Sequence, residues 1–212
     1  MKSVIEFRGL TGLASYFKDF SDISEQAARL SINGAASFAS RLASKRIRAQ
    51  VAFSRSYIGA AGTATSKIRI KKFARGGDIE AIIATRDRAT SLARFALGTP
   101  SFGRKLKNAR SPRVKVKTGG GITTLKNGFF MKLRKGVILT DDSFNIGLAV
   151  RLKKGEKLQS SQKASPLGGG AYLLYGPSVA QVFDSVREDI APEVAEFATF
   201  EFARQFRRLS HG

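Results

Sequence analysis

Two apolar stripes of helical period, one near each end of the chain, constrain this sequence more than any other feature. In the first, Ala28, Ile32, Ala35, Ala36, Phe38, Ala39, Leu42, Ala43 and Ile47 fall on one face of a 3.6-residue repeat. Most of them are small, so a neighbouring element can approach closely. Ser21 or Asp22 can cap this helix and Glu25 lies in its first turn, where the macrodipole favours an anion, so the spacing predicts a helix running to about Gln50. Arg41, Lys45, Arg46 and Arg48 gather toward its C-terminal end, where positive charge complements the dipole. In the second stripe, Val179, Val182, Phe183, Val186, Ile190, Val194 and Phe197 recur at steps of three and four, and Pro192 predicts a kink or a division.

Between the stripes the period changes to two. Lys67 to Ala74 alternates Ile68, Ile70 and Phe73 against Lys67, Arg69 and Lys71, Gly76-Gly77-Asp78 reads as a turn, and Ile79 to Thr85 is again strand-like. Residues 86–97 fit either a strand or a helix. Val114 and Val116 alternating with Lys115 and Lys117 predict a short strand inside 98–121, a basic loop or hairpin. Three further strands are expected at Gly128 to Leu133, Ile146 to Leu152 and Ala171 to Tyr175. Their turn-rich separations favour an antiparallel meander. Residues 159–170 read as a Gly-rich surface loop, and residues 1–20 as a short helix with Phe7, Leu10, Leu13, Phe17 and Phe20 at helical spacing. The expected fold class is α+β: one antiparallel sheet with a long N-terminal and a long C-terminal helix packed on one face, in a single domain over 1–212.

Charge narrows the function. Lys and Arg number 37 against 16 Asp and Glu, a formal +21, which is more than solubility requires. No acidic residue lies between Glu25 and Asp78, or between Asp87 and Asp141, and both intervals are rich in Arg and Lys. A polyanionic partner is the natural inference. From Ser178 to Leu209 the balance reverses, so the end of one copy could pair with the middle of the next, or neutralise its own chain.

The reactive groups of common enzymes are missing. There is no cysteine, and the one histidine, His211, is penultimate, which argues against nucleophilic triads and His-based metal sites. Asp141 and Asp142 could meet Glu156 across a hairpin, but a solvated turn explains them better. Gly119–Gly121 and Gly168–Gly170 lack the following Lys-Ser/Thr of a phosphate loop. No cofactor is expected. MKSVIEFRGL has no signal-like apolar run, and no stretch approaches the roughly 20 apolar residues of a membrane span. A soluble, non-enzymatic protein made in the cytoplasm is expected.

The last third carries a specific pattern: KNGFFMKLRKG, GLAVRLKKGEKL, LLYGPSVAQVFDSV and EFARQFRRL. At its centre is the strand-to-helix junction Tyr175, Gly176, Pro177 and Ser178. Gly176 is expected to permit an unusual backbone angle, Pro177 to fix the next one, and Ser178 to cap the helix. Over about 126–209 the chain resembles the minor tail protein Z family, tail-completion proteins of long-tailed bacteriophages. It departs from that pattern in Gln159 to Gly170 and in the basic segment 98–121.

The resemblance implies a virion component of the neck, made in the host cytoplasm and ring-forming at the head-proximal end of the tail tube, matching its sixfold symmetry. Its implied partners are further copies of itself, the tail terminator or tube protein, the head-completion or connector proteins, and double-stranded DNA without sequence preference. With the charge pattern, this marks Arg104, Lys105, Lys107, Arg110, Arg113, Lys115 and Lys117 as facing the lumen or the DNA end. The rival assignment docks the same residues onto acidic tube or connector subunits. An alternative function is a general basic nucleic-acid-binding protein, ribosome-associated or DNA-packaging. An enzyme using a carboxylate-held metal fits least, because the basic regions lack acids.

Overall fold

The structure, a computed structural model, describes residues 4–6, 22–100, 111–134, 144–159 and 162–210. The fold class is α+β with antiparallel sheets. Where the sequence reads as one domain, the residues cluster into two compact units. Unit 1 takes residues 1–48, 54–88 and 179–212; unit 2 takes 49–53 and 89–178. Three sheets stand where the sequence predicts one.

Unit 1 contains β1 (Val4–Glu6), α1 (Asp22–Gln50, its last two residues counted with unit 2), the short α2 (Arg55–Ile58), β2 (Ile68–Lys72), β3 (Ile82–Thr85) and α3 (Val179–Ser210). The strands form an antiparallel sheet in the order β1-β3-β2. Val4–Glu6 is therefore a strand, registered on Ala84 to Ile82, and not the start of a helix. Val4 and Ile5 are β-branched and favour pairing; the helix-spaced residues Phe7 to Phe20 lie outside the described residues.

The two long helices follow the predicted stripes. Ala28, Ile32, Ala35, Ala36, Ala39, Ala43 and Ile47 are buried on α1, as are Val179, Val182, Phe183, Val186, Ile190 and Val194 on α3. α3 runs through Pro192 as one helix. The two are antiparallel, since Arg46 meets Glu193 at 2.7 Å, Phe38 stacks on Phe197 at 4.5 Å, and Gly34 faces Glu201. Small residues allow this closeness: Ser31 Oγ reaches across to donate to the Ala198 carbonyl at 2.6 Å. A Cβ built at Gly34 would sit 3.4 Å from Glu201 Cγ, an ordinary contact. Gly34→Ala is thus expected to stabilise unit 1 by up to about 1 kcal/mol through helix propensity, measured by denaturant unfolding.

Opposite Gly34, the Glu201 side chain is buried. Its oxygens accept from Arg204 Nε at 2.8 Å and Nη2 at 2.6 Å, and from Gln205 Nε2 at 2.5 Å. Chiefly through the Arg204 hydrogen bonds, and against the opposing effect of burial, the carboxyl is held below its usual value of 4.5. A depressed folded pKa means stability present above the unfolded value and lost as pH falls through the folded one. Glu201→Gln should cost about 2 kcal/mol at neutral pH, the worth of hydrogen bonds to a charged group. In urea titrations the gap from wild type should close as pH drops below 4.5.

α1 also holds the β2–β3 hairpin. Ile32 and Ala36 pack with Ala74, Ala81, Ile70 and Ile79. The Asn33 amide pairs with both backbone groups of Ala74, at 3.1 and 2.8 Å. Glu25 accepts the Gly77 amide at 2.7 Å, so it ties down the turn as well as suiting the dipole. Phe73, expected inward with Ile68 and Ile70, is 45% exposed. The exposure alternates with period two straight through the register shift between Ile70 and Lys72, so Phe73, three residues after Ile70, falls on the side of exposed Arg69 and Lys71, and Ala74 on the buried side. Lys72 pairs with Asp78 at 2.7 Å and with Glu80, and first the Asp78 and then the Glu80 hydrogen bond raises its pKa.

Unit 2 contains β4 (Thr90–Ser91), a 3-10 turn (Leu92–Phe95), β5 (Ala96–Leu97), β6 (Arg113–Val114), β7 (Thr123–Thr124), β8 (Gly128–Arg134), β9 (Phe144–Arg151), β10 (Ala164–Gly168) and β11 (Ala171–Gly176). Its larger sheet runs β10-β11-β9-β8, with β4 pairing the end of β11, and β5-β6-β7 make a second, smaller sheet. Leu148, Ala149, Val150, Leu173 and Leu174 of the central strands are buried on both faces.

The 159–170 loop reading is corrected: Ala164, Ser165 and Pro166 pair with Leu174, Leu173 and Tyr172. Gly168, Gly169 and Gly170 all have positive φ, at 88°, 56° and 71°, and reverse the chain tightly enough to make a hairpin. β10 is an edge strand, where a proline is tolerated.

Candidate nucleic-acid interface

Charge separates unevenly between the units. Unit 2 holds 17 Lys and Arg against three acids, Asp141, Asp142 and Glu156, so it carries 17 − 3 = +14 of the chain's +21. Glu156 accepts the Lys153 amide at 2.8 Å and closes the turn after β9. Asp141 and Asp142 lie outside the described residues.

Within unit 2 the segment from Arg113 to Thr118 is fixed on both sides. Arg113 registers with Leu97 on β5 and Thr124 on β7, and the Lys115 amide donates to the Phe95 carbonyl at 2.9 Å. Beyond it, Ala52 N–H donates to Val116 O at 2.8 Å, Thr118 N–H to Gln50 O at 3.1 Å, and Val51 bridges Lys117. An extended segment places alternate side chains on opposite faces. Val114 is accordingly 4% exposed while Arg113 and Lys117 are exposed and Lys115 half-buried. The strand itself is only Arg113–Val114, and Lys115 and Val116 are both half-buried, so the alternation is plain at Arg113 and Val114 alone; Arg113, Lys115 and Lys117 form a cationic row along a backbone pinned by hydrogen bonds. Such a cationic row can contact phosphates without reading bases. The other four residues of the predicted set, Arg104, Lys105, Lys107 and Arg110, lie outside the described residues.

A second basic group lies at one end of the larger sheet. Arg151, Lys153, Lys154 and Lys157 are exposed there, and the Arg151 guanidinium lies over the Phe129 ring at 5.9 Å. Arg151 and Ala171 are cross-strand partners, as are Phe129 and Ala149, which puts Arg151 and Phe129 on one face. The strand alternation of GFFMKLR and FNIGLAVR contains that pairing, but only the register reveals it.

The junction residues serve a different purpose from the one expected of Gly176. Gly176 has no positive φ; it ends β11, paired with Thr90. A Cβ there would lie 2.6 Å from Phe95 Cε2. The glycine is therefore required by the approach of the Phe95 ring, itself buried against Phe53 at 5.3 Å. Tyr175 donates its amide to Lys163 O at 2.9 Å and accepts from Gln162 Nε2 at 3.1 Å, which ties the junction to the start of β10. Pro177 then leads to Ser178, 2% exposed, immediately before Val179 opens α3.

No group of three or more His, Asp or Glu among the described residues is placed to hold a metal ion, and no helix among them is long and apolar enough to cross a membrane. No protein-family model, curated protein or solved structure matches this chain.

Proposed function

We propose that this chain is a structural tail-completion protein of a long-tailed bacteriophage, a ring-forming neck component that joins tail to head and lines the DNA passage. The observation that carries the reading is the fixed cationic row Arg113, Lys115 and Lys117 in a unit of net +14, which suits sequence-independent contact with phosphates. The resemblance of 126–209 to the minor tail protein Z family supplies the setting. A phosphate polymer moving past such a surface needs many weak contacts and no base readout. Arg104, Lys105, Lys107 and Arg110 add their charge to the same contact in this reading.

Two measurements test it. Duplexes of unrelated sequence should bind with similar affinity and lose it steeply with salt, and the chain should be traced at the neck of intact particles with these residues toward the channel. No binding even at low salt, or absence of the chain from purified virions, would overturn the proposal.

A further inference from the structure

A chain of net +21 repels its own copies, so self-association requires it to oppose its few free anions to its cations. Most described carboxylates are engaged locally: Asp78 and Glu80 by Lys72, Glu193 by Arg46, Glu201 by Arg204. The carboxylates of Glu188, Asp189 and Glu196 of α3 have no ion-pair or hydrogen-bond partner among the described residues. Asp189, Glu196 and Phe200 follow one another at steps of seven and four, so they lie along one line of the helix. All three are exposed, and Phe200, at 65%, is the most exposed of the large apolar side chains described.

Unit 2 presents a counterpart. Lys153 and Lys154 are exposed in the turn after β9. Leu152 N–H donates to Gly170 O at 2.9 Å, which brings that turn beside the β10–β11 reversal, where Leu167 is 43% exposed. Each patch is thus an exposed apolar side chain accompanied by two like charges, and the two patches have opposite sign. An apolar anchor bordered by complementary charge is the composition of a specific contact.

We propose that the Asp189, Glu196 and Phe200 stripe of one copy docks on the Lys153, Lys154 and Leu167 end of the next, head to tail. The two surfaces differ, so the contact is heterologous and repeats into a closed ring or an open filament. It rests on the self-assembly part of the proposed function and does not use the DNA-facing row.

The test is sedimentation velocity on the full chain at low ionic strength, with D189K/E196K and K153E/K154E variants checked for folding by circular dichroism. Wild type should form species larger than a monomer, each double variant alone should stay monomeric, and an equimolar mixture should reassemble, because every contact in an alternating array is again between opposite charges. A monomeric wild type, assembly retained by either variant, or a mixture that fails to reassemble would each overturn the proposal. Duplex binding by the wild type is read in parallel. Its absence would count against the passage-lining function and leave the sedimentation result standing.

Discussion

Replacing Gly176 by alanine is expected to lower the stability of unit 2 by about 1–3 kcal/mol, and by valine more, as overpacking of a filled core does. The first added carbon would lie 2.6 Å from the Phe95 ring, closer than real contacts allow. Phe95 cannot simply swing aside, because it is 3% exposed and packs on Phe53. The backbone at Gly176 is compatible with any residue, so the penalty is steric and not conformational. Two controls separate these causes. Phe95→Leu should recover much of the loss in the Gly176→Ala background, while costing stability alone. Gly147→Ala should cost less, because the atoms it meets at 2.8 and 3.0 Å are the ends of the Leu173 and Leu133 side chains. Thermal and denaturant midpoints measure all five variants.

The larger effect is expected on binding. Changing Arg113, Lys115 and Lys117 together to glutamine should reduce the slope of log affinity against log salt by about 2.7, at about 0.9 for each phosphate no longer neutralised. Extrapolated from 1 M salt, that is about 3 × 10³-fold weaker duplex binding at 50 mM. Folding should change little, because Arg113 and Lys117 are exposed and the segment is held by backbone bonds that glutamine retains. An unchanged slope would show that these residues do not meet phosphates, and would favour docking onto acidic tube or connector subunits.

The helices are legible in the sequence because α1 and α3 each repeat small or branched apolar residues every three or four positions over many turns. Gly128–Arg134, Phe144–Arg151 and Ala171–Gly176 are legible for the corresponding reason at period two. β10 is not, since Ser-Pro-Leu-Gly-Gly-Gly has the composition of a loop and its pairing comes from β11, a partner that local sequence does not reveal. Phe73 departs from its expected face because the period of two runs on unbroken from Ile68 to Ala74 and gives the inner place to Ala74. The division into units is hidden too: the chain enters unit 2 for Ala49–Phe53, leaves it, and returns at Ala89, and no glycine or proline linker marks any of these crossings. Of the candidate site, the succession of basic residues at 113–117 is read directly from the sequence, whereas the strand expected of it stops at Val114. The role of Gly176 cannot be read there, because it depends on a ring 81 positions earlier in the chain.

The interleaving of the units governs the order in which the molecule can be built. Ser31 bonds a carbonyl 167 positions later and Arg46 a carboxylate 147 positions later, so α1 leaves the ribosome long before the helix that covers it. Residues 89–178 emerge in the interval and can close their own core first. Closure of such distant contacts is slow. The nascent α1 therefore waits with a seam of alanine and serine, which offers passing chains far less sticky area than a leucine seam would.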